Sequence, residues 1–320
     1  MLKPHWYQSD CVRMNCLARK KEKKTAFNVL ASGLGKTVTA AFDVLEFKKI
    51  NPTARVLFLC NSMEVLRQAR LTFEVILGAS YSYGFFAGKK REGKTDFVFA
   101  MFQTMRKHCQ RFLPDEFDYV VVDESHHTYA ETYLDVVEYW TPKFLLGMTA
   151  TPDRTDGQDI TRVFGKPVFY LPLEEALAQD LLTPVDYRLL TDEIVIPKEV
   201  PARWRSVRRL NREFFMRKRD EEIVKIINRH TKDVADLRMI VFCPSIDYCE
   251  HMASLMPGSM PYHSKVPAEE RIIRFEMFRN GMIPTLLVVD AFNEGVDVPS
   301  ANILVFLRST TSPIVFLQQL

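Results

Sequence analysis

The sequence predicts an α/β protein of two domains, each a mostly parallel sheet with helices on both faces. Three observations predict it. Short apolar runs alternate with amphipathic stretches through the first half of the chain, and the same alternation returns in the second half. Most runs are nearly continuous in Val, Phe and Leu, the pattern of strands buried on both faces. A length of 320 residues suits about two domains, each able to bury its own core.

In order, the strands are expected at 27–30, 55–60, 96–100, 119–122 and 144–148, with helices at 37–47 and 63–77 between them. The second half supplies strands at 238–243, 285–289 and 302–307. It also supplies a helix at 268–279 that turns inward either Ile272, Phe275 and Phe278 or Phe275 and Met277. Pro184, Pro197 and Pro201 punctuate the crossing between the halves, so the domains are expected at 1–182 and 183–320.

Composition narrows the class. Hydrophobic residues make up 47% and charged residues 26%, as in ordinary globular proteins. The 43 basic and 40 acidic residues leave a net +3. That excludes a histone-like blanket of positive charge and leaves room for a local basic surface. No apolar run approaches the ~18 residues of a membrane span, and Lys3, His5, Gln8 and Asp10 leave no signal-peptide core. None of the six cysteines falls in a C-x-x-C pair. Free thiols in a reducing cytosol are expected, and with them a cytoplasmic location.

Two motifs carry chemistry. Residues 27–37 run from a strand through a turn with Gly33 and Gly35 into a helix, with Lys36 and Thr37 at the junction. Glycines let the backbone curl and aim its N–H groups inward, and a helix N-terminus receives anionic phosphate. Lys36 suits the β/γ-phosphates and the Thr37 hydroxyl suits Mg²⁺. Leu30 stands where the strict phosphate-loop pattern has its first glycine. The second motif, 119–127, is an apolar strand ending in Asp123 and Glu124, followed by His126. Ligand sites in parallel sheets lie at the carboxyl ends of strands. There Asp123 can hold the metal, Glu124 can polarise water, and His126 can couple the site to the other domain.

With these motifs in place, the sequence resembles a superfamily 2 DExH-type (DEAD/DEAH-box) helicase or translocase, similar to type III restriction subunits and UvrB-like motors. The resemblance covers nearly the whole chain and implies two RecA-like P-loop NTPase domains. Residues 4–8 are similar to the family's adenine-reading element, with Gln8 at the adenine edge and Trp6 or Tyr7 stacking beside it. Residues 31–37 match motif I and 123–126 match motif II. Residues 148–152 match motif III, in which Thr149 and Thr151 link nucleotide state to domain closure. Motif Ib holds Gln103 and Thr104; motif Ia keeps Arg67 and Gln68, with Asn61 and Ser62 replacing a His-Arg pair. Residues 240–245 resemble motif IV, and Tyr262 to Ser264 the segment after it. Residues 290–299 resemble motif V, where Gly295 permits close approach and Asp297 bonds the ribose or the motif VI arginines.

The resemblance implies ATP and Mg²⁺ as cofactors and nucleic acid as partner, double-stranded DNA favoured over RNA, with no membrane and with nuclease or modification modules outside this span. Strand contacts are expected from Arg67, Gln103, Thr104 and His263. A basic stretch at 203–219 adds Arg208 and Arg209 on a helix whose Trp204, Val207, Leu210 and Phe214 form an apolar face. A second basic run, 19–24, is expected to be an exposed loop. Residues 316–320 resemble the opening of motif VI without its arginines. The chain is therefore expected to be a truncated piece of a larger motor. A nucleotide-gated DNA-binding module without turnover is the alternative. An unrelated P-loop kinase or GTPase would explain neither the Thr-Ala-Thr segment nor the second domain.

Overall fold

A computed structural model describes residues 2–123, 131–150, 161–183, 186, 188, 217–289 and 301–307, with side chains left out at 131–133, 161 and 217–219. The chain forms two compact units, Met1–Asp186 and Tyr187–Leu320.

The first unit is a seven-stranded sheet, every pairing in it parallel. Its strands are β1 (Thr25–Leu30), β2 (Val56–Cys60), β3 (Tyr83–Phe86), β4 (Phe97–Met101), β5 (Tyr119–Asp123), β6 (Phe144–Thr149) and β7 (Phe169–Leu171). They lie in the order β3-β4-β2-β5-β6-β1-β7. The helices are α1 (Trp6–Lys20), α2 (Lys36–Ile50), α3 (Met63–Leu77), α4 (Phe102–His108), α5 (Glu131–Glu138), α6 (Thr161–Phe164) and α7 (Leu173–Ala178), and a 3-10 turn, Cys109–Arg111, follows α4.

Strand side chains alternate between two apolar layers. Ala26, Leu30, Phe58, Phe99, Val121, Leu146 and Met148 meet residues of α1, α2 and α3 on one face. Phe27, Val29, Leu57, Leu59, Val98, Val120 and Val122 meet residues of α4, α5 and α6 on the other. This two-sided burial is what the unbroken apolar runs encode. The expected helix at 63–77 forms with those bounds, because Leu66, Ala69, Phe73, Ile76 and Leu77 recur at helical spacing and fill one face. Phe58, Phe73 and Phe99 then meet ring to ring at 5.5–5.7 Å. A buried phenylalanine contributes about 1.5–3 kcal/mol over an exposed one.

The second unit holds a four-stranded parallel sheet, β11-β8-β10-β9, of β8 (Met239–Phe242), β9 (Ser259–Tyr262), β10 (Thr285–Val288) and β11 (Ile303–Phe306). Its helices among the described residues are α8 (Arg217–Thr231), α9 (Ile246–Leu255) and α10 (Ala268–Arg279). On α10, Phe278 is buried and Phe275 and Met277 pack beside it. Ile272 is 62% exposed, so the inward set that included it is corrected. The reason is geometric: on a 3.6-residue helix Phe275 and Phe278 already span the face that the narrow sheet covers.

The expected helix around Arg208 and Arg209 lies outside the described residues. In the basic run 19–24, residues 20–24 are exposed as expected, but Arg19 and Lys20 belong to α1 rather than a loop, and Arg19 is partly buried. Among the described residues no helix is long and apolar enough to cross a membrane. Cys11, Cys60, Cys243 and Cys249 are buried free thiols, and Cys16 and Cys109 are half-buried ones.

Candidate nucleotide site

Three neighbouring strands bring the site together at their carboxyl ends. Strand β6 lies between β1 and β5, and all three run in the same direction. Val29 is level with Thr149; one residue below, Asn28, Met148 and Asp123 form a row. The carboxyl ends of these strands therefore present the phosphate loop, Thr149 and Asp123 side by side.

After Leu30 closes β1, Ala31 donates its N–H to the Leu171 carbonyl of β7 at 2.9 Å. The chain then turns through Gly33 (φ +84°) and Gly35 (φ +74°), both in the left-handed region that glycine tolerates. A Cβ at Gly35 would stand 2.7 Å from the Gln8 amide nitrogen, so a larger residue would have to displace the Gln8 side chain. Helix α2 starts at Lys36, and its first N–H groups face the loop with no carbonyl behind them in the helix. Thr39 fastens the turn by donating both its N–H (2.9 Å) and its hydroxyl (3.1 Å) to the Gly35 carbonyl. Thr37 is the second residue of α2. Leu30 at the first-glycine position is still strand and buried, so the curl begins one residue later.

Helix α1 meets this loop through Gln8, 3% exposed. Its amide oxygen accepts the His5 N–H at 2.9 Å, and its amide nitrogen donates to the Leu34 carbonyl at 3.0 Å. Gln8 thus ties the N-terminal segment to the phosphate loop. Around it, Leu2, Lys3, His5, Tyr7, Gly33, Leu34, Gly35 and Val38 line a pocket of about 270 Å³. The Tyr7 ring stacks on His5 at 5.5 Å, and burial raises its hydroxyl pKa. Trp6 is exposed and meets only the edge of Tyr7.

Asp123, 6% exposed, ends β5, and Thr149, fully buried, ends β6. The Thr37 hydroxyl and the Asp123 carboxylate are hard oxygen donors of the kind Mg²⁺ takes. The curled loop and the α2 N-terminus form the cradle that phosphate needs. The residues present fit a magnesium nucleotide. Glu124, His126, Thr151, Gly295 and Asp297 lie outside the described residues.

Of the expected strand contacts, Arg67 is exposed on α3 and pairs with Glu64 at 3.6 Å. Gln103 is exposed on α4. Thr104 is buried, and its hydroxyl accepts the Gly88 N–H at 3.3 Å. His263 differs from expectation: it is 3% exposed, with Nε2 2.7 Å from Glu250. In this structure the ring is buried and offers little surface to a strand.

Sequence reasoning missed two groups. Asn28 lies buried in the row with Asp123, neither of its side-chain atoms bonded; a polar residue inside an apolar strand was the available signal. Arg19, Asp43 and Tyr119 form a buried cluster. Arg19 donates to both Asp43 oxygens (2.8 and 2.9 Å), and the Tyr119 hydroxyl donates to one of them. Desolvation works against the Arg19 charge, but the Asp43 bonds and charge outweigh it and hold its pKa above the ordinary value. The signal was an aspartate on the apolar face of α2.

The family described as type III restriction enzyme, res subunit, matches residues 1–154, and the helicase conserved C-terminal domain matches residues 218–320. The type I restriction enzyme EcoAI endonuclease subunit of Escherichia coli is 22% identical over 98% of this chain. The chain spans 43% of that relative's length. The DNA 3'-5' translocase XPB2 of Sulfurisphaera tokodaii is 22% identical, covering 98% of this chain and 76% of the relative. Among solved structures, the ATP-dependent type ISP restriction-modification enzyme LlaBIII bound to DNA aligns with a TM-score of 0.71 at 18% identity. That alignment covers 99% of this chain and 26% of the other, a likeness of fold. The fold, the motif-bearing strand ends and the two family matches agree: this chain is a superfamily 2 helicase core, of the α/β P-loop NTPase fold and similar to restriction-enzyme Res subunits.

Proposed function

We propose that the chain couples ATP hydrolysis to movement on nucleic acid, with double-stranded DNA favoured over RNA. The observation that carries the reading is the row of strand ends: the phosphate loop, Thr149 and Asp123 on three adjacent parallel strands. In this reading Tyr7 and Gln8 hold the base, Gly33, Gly35 and the α2 N–H groups cradle the phosphates, and Lys36 compensates their charge. Thr37 and Asp123 would hold Mg²⁺, which when bound withdraws charge from the phosphate oxygens. Glu124 orients the attacking water, and His126 couples the site to the other domain. Thr149 and Thr151 report nucleotide state to the second domain, taken as 183–320, where Gly295 and Asp297 complete the nucleotide contacts. Arg67, Gln103, Thr104, Arg208 and Arg209 track the strand. The preference for DNA rests on relatives whose names specify it.

The test is phosphate release from ATP, measured with duplex DNA, with single strands and with RNA. The expected result is ATP turnover stimulated most by duplex DNA and lost, about 100-fold or more, in Lys36→Ala. Stimulated turnover that survives Lys36→Ala would overturn the assignment. ATP binding without turnover would establish the nucleotide-gated binding module in its place.

A further inference from the structure

The loop between β3 and β4 and the end of α4 carry a concentration of charge that the nucleotide site does not use. Residues 87–111 hold seven Lys and Arg (Lys89, Lys90, Arg91, Lys94, Arg106, Lys107, Arg111) against Glu92 and Asp96. That is a net +5, against +3 for all 320 residues. The segment is thus one of the chain's basic stretches, as is the 203–219 run.

All seven cations are exposed, and among the described residues none of them pairs with a carboxylate. Some surface cations elsewhere do: Arg13 with Asp10, Lys49 with Glu46, Arg67 with Glu64, Arg279 with Glu276. Leaving so many like charges together costs self-repulsion, which a polyanionic partner would remove.

The two parts of the surface are built against each other. The Gly88 N–H donates to Thr104 on α4 (3.3 Å), and an Arg91 guanidinium nitrogen lies 3.1 Å from His108 Nε2. Arg91 also donates to the Gly88 and Lys90 carbonyls, at 2.6 and 2.7 Å, which fixes the loop's shape. Desolvation first, and then the charges of Arg91, Arg111 and Lys107, hold His108 below its ordinary pKa. Three of the cations surround the ring.

The chemistry of this surface selects among polyanions. Single-strand binders offer exposed aromatic rings on which bases stack. Here Phe85, Phe86 and Phe112 are buried. Lys90 lies over the Phe85 ring at 4.9 Å and Arg91 over Phe86 at 5.2 Å, so the rings support the cations from beneath. What faces solvent is charged and polar with no Phe, Tyr or Trp ring, suited to a phosphodiester backbone whose bases are already paired.

We propose that the 88–94 loop and the α4 end form a duplex-binding surface that grips the phosphate backbone beside Gln103 and Thr104, independently of sequence. The proposal rests on the nucleic-acid reading above and extends it to a surface that reading does not contain.

The test is fluorescence anisotropy of a labelled duplex and of its single strand, titrated with the full chain over a range of salt without nucleotide. The variant K89Q/K90Q/K107Q spans both parts and keeps the aliphatic stems. K20Q/K21Q/K23Q removes the same charge from another exposed basic run. The expected result is a duplex affinity lowered about tenfold or more in the first variant, equally for unrelated sequences. Its slope of log affinity against log salt should be shallower by about 2–3, near one for each phosphate no longer neutralised. The control variant and single-strand binding should change much less. Equal losses in both variants, a larger loss on single strands, or a parent chain that does not bind duplex would each overturn the proposal. Binding of a fluorescent ATP analogue to the parent is read in parallel. Its failure would count against the motor reading, whereas intact ATP binding with unchanged duplex binding in K89Q/K90Q/K107Q would count against this surface alone.

Discussion

Each unit buries an aspartate beneath a tyrosine hydroxyl, but the two complete the cluster with different nitrogen-bearing side chains. In the first unit Asp43 receives both forks of Arg19 together with Tyr119, and its side chain is fully buried. The guanidinium is further covered by the Phe144 ring at 4.8 Å. In the second unit Asp220 receives the Tyr248 hydroxyl at 3.1 Å and lies 3.0 Å from His251 Nε2, and the His251 side chain stays 33% exposed. A planar guanidinium satisfies two carboxylate oxygens at once and can be sealed from water. An imidazole offers one bond and a charge only when protonated. The sealed cluster also joins site-bearing elements: Arg19 is on the helix of Tyr7 and Gln8, Asp43 about two turns beyond Lys36 and Thr37, and Tyr119 begins the strand that ends at Asp123.

The contrast can be broken by removing each acid. Asp43→Ala leaves Arg19 and Tyr119 buried without their partner and is expected to cost about 3–5 kcal/mol in urea unfolding. Hydrogen exchange should quicken in β1 and β5. The double change Arg19→Met/Asp43→Leu should be milder than Asp43→Ala, because no charge is left stranded. Asp220→Ala is expected to cost about 1–3 kcal/mol, since water can reach His251, with faster exchange confined to α8 and α9. Equal costs for Asp43→Ala and Asp220→Ala would erase the distinction between sealed and open clusters. The smallest effect expected is from Ile272→Ser on the exposed face of α10, within about 0.5 kcal/mol. A loss of several kcal/mol there would mean that α10 buries a second face.

How much of this was legible in the sequence follows from where each element sits. The runs at the sheet centres were readable because burial on both faces leaves an unbroken apolar string. The strands that went unread, β3, β7 and β9, are all at sheet edges. Gly84 interrupts β3, β7 has three residues, and β9 contains Pro261, which a central strand would not tolerate. The phosphate loop and Asp123 were readable because their chemistry needs fixed local spacing. The Gln8–Leu34 bond and the Arg19–Asp43–Tyr119 cluster join residues 24–76 positions apart, and only the folded sheet brings them together. The same holds for the basic surface, in which the 88–91 turn reaches α4 across 16 and 17 positions.

The central claim is that the ends of β1, β6 and β5 form one site for a magnesium nucleotide. It is tested most directly by titrating a fluorescent ATP analogue with and without Mg²⁺ into the parent chain, Lys36→Ala and Asp123→Asn. The account predicts that Mg²⁺ tightens binding to the parent. Asp123→Asn should bind the metal-free nucleotide as the parent does and gain little from Mg²⁺, and Lys36→Ala should bind weakly in both conditions. A full magnesium-dependent gain in Asp123→Asn would contradict it.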